Sequence, residues 1–133
     1  MQVRKRFVAS VVTGVIAASG LIATTAGQAS AAGACLDNAQ SYTKASGTHL
    51  YPNYPTLNYL LTSANCADIN IKTNTERYVK VCFLPSSGGR QCQAEYKLAK
   101  ADTWMEIATD VKDNTRYQFY FRSDASSSGQ FAD

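Results

Sequence analysis

Four cysteines constrain this chain more than any other feature of its sequence. They are Cys35, Cys66, Cys82 and Cys92, and all of them follow an N-terminal segment typical of exported proteins. An even number of cysteines in a small exported chain predicts disulfide bonds. Four cysteines allow three pairings. We favour Cys35 with Cys66 and Cys82 with Cys92, because the second pair brackets a predicted hairpin.

The N-terminal segment is a predicted secretory signal peptide. Residues 4–6 are Arg-Lys-Arg, residues 7–26 are uncharged and mostly apolar, and Ala29-Ser30-Ala31-Ala32 follows. This pattern predicts cleavage after Ala31 or Ala32, which leaves residues 33–133 as one secreted domain. The alternative is a membrane anchor that stays attached. Small polar residues interrupt the apolar run and no second hydrophobic segment follows it, so we expect no stable membrane insertion after cleavage.

The charge of the mature chain argues against a nucleic-acid partner. Residues 1–32 contain three of the thirteen Lys and Arg residues and none of the ten Asp and Glu residues, so the remainder is formally neutral. A nucleic-acid binder needs a basic footprint to offset phosphate charge. A zinc site needs closely spaced Cys or His ligands, whereas this chain has a single histidine and no C-x-x-C pair. We therefore expect no nucleic acid, no metal and no cofactor.

Alternation of apolar and polar residues dominates the mature chain and predicts strands. Residues 68–72 alternate around Ile69 and Ile71, and residues 77–84 are rich in β-forming side chains. Residues 85–89, Pro-Ser-Ser-Gly-Gly, predict a turn, and a return strand is expected from Cys92 to Leu98. A hairpin centred on Ser87 would place Cys82 opposite Cys92, at a distance that a disulfide can bridge.

Two further strands are predicted near the C-terminus. They cover residues 104–109 and 116–122, separated by a turn at residues 110–115. In the second, Tyr117, Phe119 and Phe121 share one face. Six to eight short strands with frequent turns predict an all-β fold, either a sandwich or a small barrel.

Residues 111–121, Val-Lys-Asp-Asn-Thr-Arg-Tyr-Gln-Phe-Tyr-Phe, resemble the corner before the penultimate strand of fibronectin type III and other immunoglobulin-like domains. The resemblance implies a small immunoglobulin-like or related antiparallel β-sandwich. It also implies a tyrosine corner, in which the Tyr117 hydroxyl bonds back to the corner backbone.

The sequence contains no recognisable catalytic set. His49 is the only histidine, the cysteines are expected to form disulfides, and no G-x-S-x-G motif occurs. Paired carboxylates could support glycoside hydrolysis without a histidine, and the candidates are Glu76, Glu95, Asp102, Glu106, Asp110 and Asp113. Glu95 and Glu106 fall on the polar phase of predicted strands, and Asp110 and Asp113 lie in a predicted turn. A domain of this size also has little material for a deep substrate cleft, so we expect a protein that is not an enzyme.

The segment from His49 to Tyr59 is the strongest candidate for a ligand contact. It combines three tyrosines with two prolines, which restrict a loop to few conformations. Tyrosine and asparagine suit recognition, because a rigid ring gives contact area and polar tips form hydrogen bonds. The predicted ligand-binding residues are His49, Tyr51, Asn53, Tyr54 and Tyr59, and the expected partner is an extracellular glycan or protein. The alternative is that the three tyrosines pack inward.

A second functional hypothesis is inhibition of an extracellular hydrolase, either a protease or an amylase. In size, all-β class and number of disulfides the chain resembles small exported bacterial inhibitors of α-amylase. The Trp-Arg-Tyr triplet of that family is absent; Glu76-Arg77-Tyr78 and Thr115-Arg116-Tyr117 keep only Arg-Tyr. On this hypothesis Arg90, at the tip of the predicted hairpin, would be the anchor of the interface.

Overall fold

Ten short strands form the framework of the described part of the chain. The structure is a computed structural model that describes residues 33–133; the predicted signal peptide and its cleavage site lie outside them. The strands are β1 (Gln40–Lys44), β2 (Leu50–Tyr51), β3 (Leu60–Leu61), β4 (Ile69–Thr73), β5 (Arg77–Phe83), β6 (Gln91–Cys92), β7 (Lys97–Ala99), β8 (Trp104–Ala108), β9 (Arg116–Phe121) and β10 (Ser127–Ala132).

The strands form two sheets in which every pairing is antiparallel. Sheet 1 has the order β1-β10-β4-β8. Sheet 2 has the order β2-β9-β5-β6, with β3 also pairing with β9 and β7 also pairing with β5. The predicted all-β, antiparallel class with two disulfides is therefore confirmed.

Strand prediction succeeded where alternation was strong. The expected strands at residues 68–72, 77–84, 104–109 and 116–122 correspond to β4, β5, β8 and β9. The continuous return strand from Cys92 to Leu98 was wrong, because β6 and β7 are separate. At the break the Gln93 side chain binds main-chain groups instead: its Oε1 accepts from the Val81 amide at 2.9 Å, and its Nε2 donates to the Ile107 carbonyl at 3.0 Å.

The hydrophobic core consists of the inward-facing residues of both sheets. The β9 residues Tyr117, Phe119 and Phe121 are fully buried, as their alternation predicted. Across the core, the Phe119 ring lies 6.0 Å from the Phe131 ring of sheet 1. Burial of each such ring contributes about 1.5–3 kcal/mol. Most of the cohesion between the sheets therefore comes from aromatic and β-branched side chains, which include Tyr42, Ile69, Ile71, Val79, Val81, Ile107, Phe119, Phe121 and Phe131.

Both predicted disulfides are present, and no cysteine of residues 33–133 is free. Cys82 and Cys92 are directly opposed in the β5–β6 pair, as the hairpin centred on Ser87 required. Cys35 lies in a short helical segment at residues 33–37 and bonds to Cys66, just before β4. This bridge ties the start of the domain to sheet 1. Within the described residues, no helix has the length and apolarity needed to cross a membrane.

The predicted tyrosine corner was wrong. The Tyr117 hydroxyl donates to Asp133 Oδ2 at 2.6 Å rather than to the corner backbone. Thr62 binds the corner instead, because its Oγ1 accepts from the Thr115 amide at 2.9 Å and donates to the Lys112 carbonyl at 2.6 Å. The Thr115 amide and the Lys112 carbonyl of the corner therefore form hydrogen bonds with Thr62 rather than with a tyrosine hydroxyl.

The strand order also differs from that of an immunoglobulin domain. In that fold the last two strands are neighbours in one sheet. Here β9 lies in sheet 2, whereas β10 lies between β1 and β4 in sheet 1. The resemblance of residues 111–121 to immunoglobulin-like domains therefore does not extend to strand order.

Candidate functional site

The loop that carries the three tyrosines is anchored at both ends on the same strand. β2 pairs with one half of β9 and β3 pairs with the other half. Residues 52–59 thus connect two fixed points, and Pro52 and Pro55 further limit the backbone. The Tyr51–Pro52 peptide bond is cis. The loop is consequently restrained by its anchors as well as by its composition.

Tyr51 faces the core rather than solvent. It is half-buried, and its ring centroid lies 5.4 Å from that of Tyr42 and 6.4 Å from that of Phe131. Burial, and then the neighbouring Tyr54 hydroxyl, raise the pKa of Tyr51. Of the two readings of the tyrosines, inward packing describes Tyr51, which supports the loop from beneath.

Tyr54 and Leu57 project from a tight turn. The Tyr54 amide donates to the Leu57 carbonyl at 3.0 Å, and the Leu57 amide donates back to the Tyr54 carbonyl at 3.2 Å. The Tyr54 hydroxyl donates to the Thr43 carbonyl of β1 at 3.3 Å, and its ring stands edge-on to Tyr51 at 6.4 Å. Even so, Tyr54 is 49% exposed and Leu57 is 47% exposed. The turn therefore presents two large side chains in a fixed arrangement.

A groove of about 310 Å³ continues this apolar surface. It is lined by Gln40, Leu57, Tyr59, Leu60, Leu61, Phe131 and Asp133. Leu61, at its edge, is 51% exposed. Tyr59 is half-buried, and the Arg116 guanidinium lies 5.4 Å from its ring centroid. Tyr59 thus forms part of the groove wall.

Asn53 and His49, the other predicted contacts, are exposed but already engaged. Asn53 Nδ2 donates to Thr48 Oγ1 at 3.1 Å. His49 Nδ1 lies 3.0 Å from the Phe121 carbonyl, which can only accept, so Nδ1 carries the proton. The His49 ring also stacks on Tyr120, with centroids 5.6 Å apart and an interplanar angle of 12°. His49 therefore belongs to the surface of sheet 2 rather than to the tip of the tyrosine loop.

Arg90 lies on the exposed tip of the β5–β6 hairpin. Residues 86–90 are all exposed, and the Cys82–Cys92 bridge closes the hairpin at their base. The Gly88 amide donates to the Pro85 carbonyl at 3.4 Å. The structure thus places Arg90 on an exposed tip braced by a disulfide.

The outer face of sheet 2 carries a cluster that sequence reasoning did not assign to a function. We call it the cation–tyrosine face and define it by Tyr78, Lys80, Tyr120 and Arg122. Lys80 Nζ lies 5.4 Å from the Tyr120 centroid and 4.5 Å from that of Tyr96 at the sheet edge. The Arg122 guanidinium lies 3.7 Å from the Tyr78 centroid. The signal was present in the sequence as the polar phase of β5 and β9, but only strand pairing brings the two halves together.

Of the carboxylates considered for catalysis, Glu106 lies near two further carboxylates, those of Asp68 and Asp110. A hydrogen bond shared with Asp68, followed by burial and by the charge of Asp68, raises the pKa of Glu106. Asp68 Oδ1 also accepts from the Asp110 amide at 3.1 Å. Within residues 33–133, no group of three or more His, Cys, Asp or Glu side chains has an arrangement that could hold a metal ion.

Comparisons with known proteins do not assign a function to this chain. No protein-family model matches the chain, and no curated protein and no solved structure shows significant similarity to it.

Proposed function

We propose that this protein is an exported, non-catalytic binding module that recognises an extracellular protein. Its contact is the Tyr54 surface, which we define as Asn53, Tyr54, Leu57 and Leu61. The observation that carries the proposal is the braced turn, which holds Tyr54 and Leu57 about half exposed beside an apolar groove. Contiguous exposed apolar surface marks interaction sites on proteins, whereas apolar side chains exposed singly do not.

The bracing of the turn favours binding, because little loop entropy remains to be lost. Tyr54 is held by the two main-chain bonds to Leu57, by the Thr43 carbonyl and by the ring of Tyr51. Immobilising a mobile side chain at an interface costs about 0.5–1.5 kcal/mol, and a pre-ordered one avoids that cost. A rigid tyrosine that offers both a ring and a hydroxyl is a frequent interface anchor.

The composition of the Tyr54 surface favours a protein over a glycan. Leu57 and Leu61 are both about half exposed, and neither offers a hydrogen bond or an aromatic face to a sugar. The core of a protein interface is apolar and excludes water, which suits these leucines. Glycan binding at the same surface is the alternative outcome of the experiment below.

Export and the absence of catalysis belong to the proposal. Disulfides persist in oxidising compartments, and both bridges lie within the domain. They also occupy the four thiols that could have acted as nucleophiles. His49, the one histidine, is bonded to the Phe121 carbonyl and stacked on Tyr120.

We also propose that the two sheets form a β-sandwich with jelly-roll connectivity. If β2 and β3 count as one interrupted strand, and β6 and β7 as another, the sheet orders become 1-8-3-6 and 2-7-4-5. That is the order of an eight-stranded jelly roll, an architecture that lectins and other binding domains share. The architecture supports a binding role only by analogy, so the function is argued from the Tyr54 surface.

The proposal is tested with the mature protein immobilised on beads and exposed to spent culture medium and to cell-wall polysaccharide. We expect the wild type to retain a protein that the double variant Tyr54→Ser/Leu57→Ser releases, while the melting temperature of this variant falls less than that of Tyr51→Ala. Tyr51→Ala is the matched control, since it should lower the melting temperature through the core. Retention of polysaccharide alone would assign the surface to a glycan. Equal retention by the wild type and the double variant would refute the Tyr54 surface as the contact.

A second candidate function is inhibition of an extracellular hydrolase through the hairpin tip at residues 85–90. The observation in its favour is the Cys82–Cys92 bridge directly below an exposed tip that carries Arg90. Inhibitors of this kind benefit from rigid loops, because a rigid loop loses little entropy on entering a cleft. Stoichiometric loss of protease or amylase activity on mixing, relieved by Arg90→Ala, would support it. No inhibition across a broad panel of hydrolases would reject it.

A further inference from the structure

We propose that the cation–tyrosine face of sheet 2 is a second binding site, and that its ligand is an acidic glycan whose carboxylate or sulfate groups contact Arg122 and Lys80. This inference does not depend on the Tyr54 surface, which is formed by other residues. It rests on the pairing of β5 with β9, on a cleft at the end of that pair, and on the way the cations are held.

Strand register arranges the four residues of the face in a chequered pattern. Lys80 is directly opposite Tyr120 in the β5–β9 pair, and the Arg122 amide donates to the Tyr78 carbonyl at 3.0 Å. Each cation thus has a tyrosine across the strand gap, and the two cations lie on a diagonal. Diagonal neighbours in an antiparallel pair have backbone positions about 7–8 Å apart. Two cations on neighbouring strands of one sheet face suit a polymer that carries repeated anionic groups.

The cations are positioned by aromatic rings, which leaves N–H groups for a ligand. A cation over a tyrosine ring is attracted by the negative face of the ring. That attraction orders the Lys80 ammonium against Tyr96 and Tyr120, and the Arg122 guanidinium against Tyr78. A ring face does not neutralise a charge as a carboxylate would. An incoming oxyanion can therefore pair with a cation that is already in place, and such charge-assisted bonds are the strong ones.

A cleft of about 190 Å³ adjoins Arg122 and supplies more donors. It is lined by Glu76, Arg77, Tyr78, Arg122 and Ser123. Arg77 donates through its two Nη atoms to the Glu76 and Ser126 carbonyls, while its Nε is buried without a partner. Two guanidinium groups and a serine hydroxyl form a setting for a carboxylate or sulfate group. Glu76 also lines the cleft, and its negative charge would repel a carboxylate or sulfate group. A substitution at Glu76 therefore tests whether an anion enters the cleft.

An acidic glycan suits this face better than a nucleic acid does. The mature chain is formally neutral, with ten basic and ten acidic residues, whereas a nucleic-acid site needs a broad basic surface. The tyrosine hydroxyls and the half-exposed rings around Lys80 offer hydrogen bonds and apolar contact to sugar units. The two cations would select sugars that carry negative charge.

The test uses matched polysaccharides and the mature protein. The probes are dextran sulfate against dextran, polygalacturonate against its methyl ester, and polyglutamate as a peptide polyanion. We expect the protein to bind one or both acidic glycans and neither neutral partner, with affinity that falls as salt rises. Lys80→Gln and Arg122→Gln should each weaken binding at least about fivefold, whereas the charge-matched control Lys112→Gln, on the distant corner, should not.

Glu76→Gln should strengthen binding, which is a change that misfolding cannot produce. Removing its carboxylate from the cleft should strengthen binding of the acidic glycan, since the repulsion between Glu76 and the anion is lost. If Lys80→Gln and Lys112→Gln weakened binding equally, binding would depend only on the net charge of the protein, and the proposal would be overturned. Failure to bind either acidic glycan, or equally tight binding of polyglutamate, would also overturn it.

Discussion

Replacing Tyr42 with phenylalanine should make the protein less stable at neutral pH but not at strongly alkaline pH. Tyr42 is 2% exposed, and its hydroxyl lies 2.7 Å from Ser127 Oγ in a buried hydrogen bond. Tyr42→Phe keeps the ring and leaves the serine hydroxyl without its partner. Loss of one partner of a buried pair costs about 1–3 kcal/mol. The variant should therefore unfold more easily than the wild type at pH 8.

Alkaline pH should remove this advantage of the wild type. Burial raises the pKa of Tyr42 to about 12, against about 10 in an unfolded chain. Between these values the unfolded state loses the phenolic proton first, so the free energy of unfolding falls as the pH rises. The loss reaches about 1.4 kcal/mol at pH 11 and about 2.7 kcal/mol well above pH 12. Phenylalanine has no proton to lose, so the gap between the two proteins should have narrowed by about 1.4 kcal/mol at pH 11.

The assay is urea unfolding of both proteins at pH 8, 10 and 11, followed by circular dichroism. Tyr51 and Tyr117, whose pKa values burial also raises, should lower the stability of both proteins alike and cancel in the difference. Ser127→Ala is the control, because it removes the same hydrogen bond but keeps the phenol. Its deficit should stay constant or widen with pH. A Tyr42→Phe deficit that is equal at pH 8 and pH 11 would refute the reasoning.

Two further substitutions, Gly129→Ala and Lys44→Met, probe the packing of sheet 1, and Gly88→Ala is the control for the first. Gly129→Ala should destabilise the fold by about 3 kcal/mol or more, because a Cβ at this position would overlap the Lys72 carbonyl of β4, and its φ of 154° is one that side-chain-bearing residues rarely adopt. Gly88→Ala, which meets open space on the hairpin tip, should change stability by less than about 1 kcal/mol in the same denaturant titration. Lys44→Met should cost about 2–3 kcal/mol, since the buried Lys44 Nζ donates to three main-chain carbonyls. An unchanged melting temperature for Lys44→Met would show that water replaces the ammonium there.

The sequence alone predicted the elements whose local chemistry was unambiguous. Alternation in β4, β5 and β9 reflects a strand with one face in the core, and the turn residues around Ser87 set the register that opposes Cys82 and Cys92. β10 was missed because its sequence, Ser-Ser-Gly-Gln-Phe-Ala, has little β-propensity. It is a strand because β1 and β4 pair with it on both sides, and Gly129 allows the close approach of β4.

The candidate surfaces, too, could be predicted only in part from the sequence. Composition identified the tyrosine loop, but exposure depends on neighbours distant in the sequence. Tyr42 and Phe131 draw Tyr51 into the core, while the turn at residues 54–57 keeps Tyr54 outside. The cation–tyrosine face required the pairing of β5 with β9.

Periodicity, turn chemistry and cysteine spacing act over a few residues, so the sequence by itself determined the all-β class, strands β4, β5, β8 and β9, and both disulfides. Contacts between residues far apart in the chain determine the strand order, the hydrogen-bond partner of the Tyr117 hydroxyl and the residues that form each candidate surface. Those contacts form only when the two sheets pack, because burial of the shared aromatic core selects one arrangement among many with similar local patterns. The tertiary structure alone decided them.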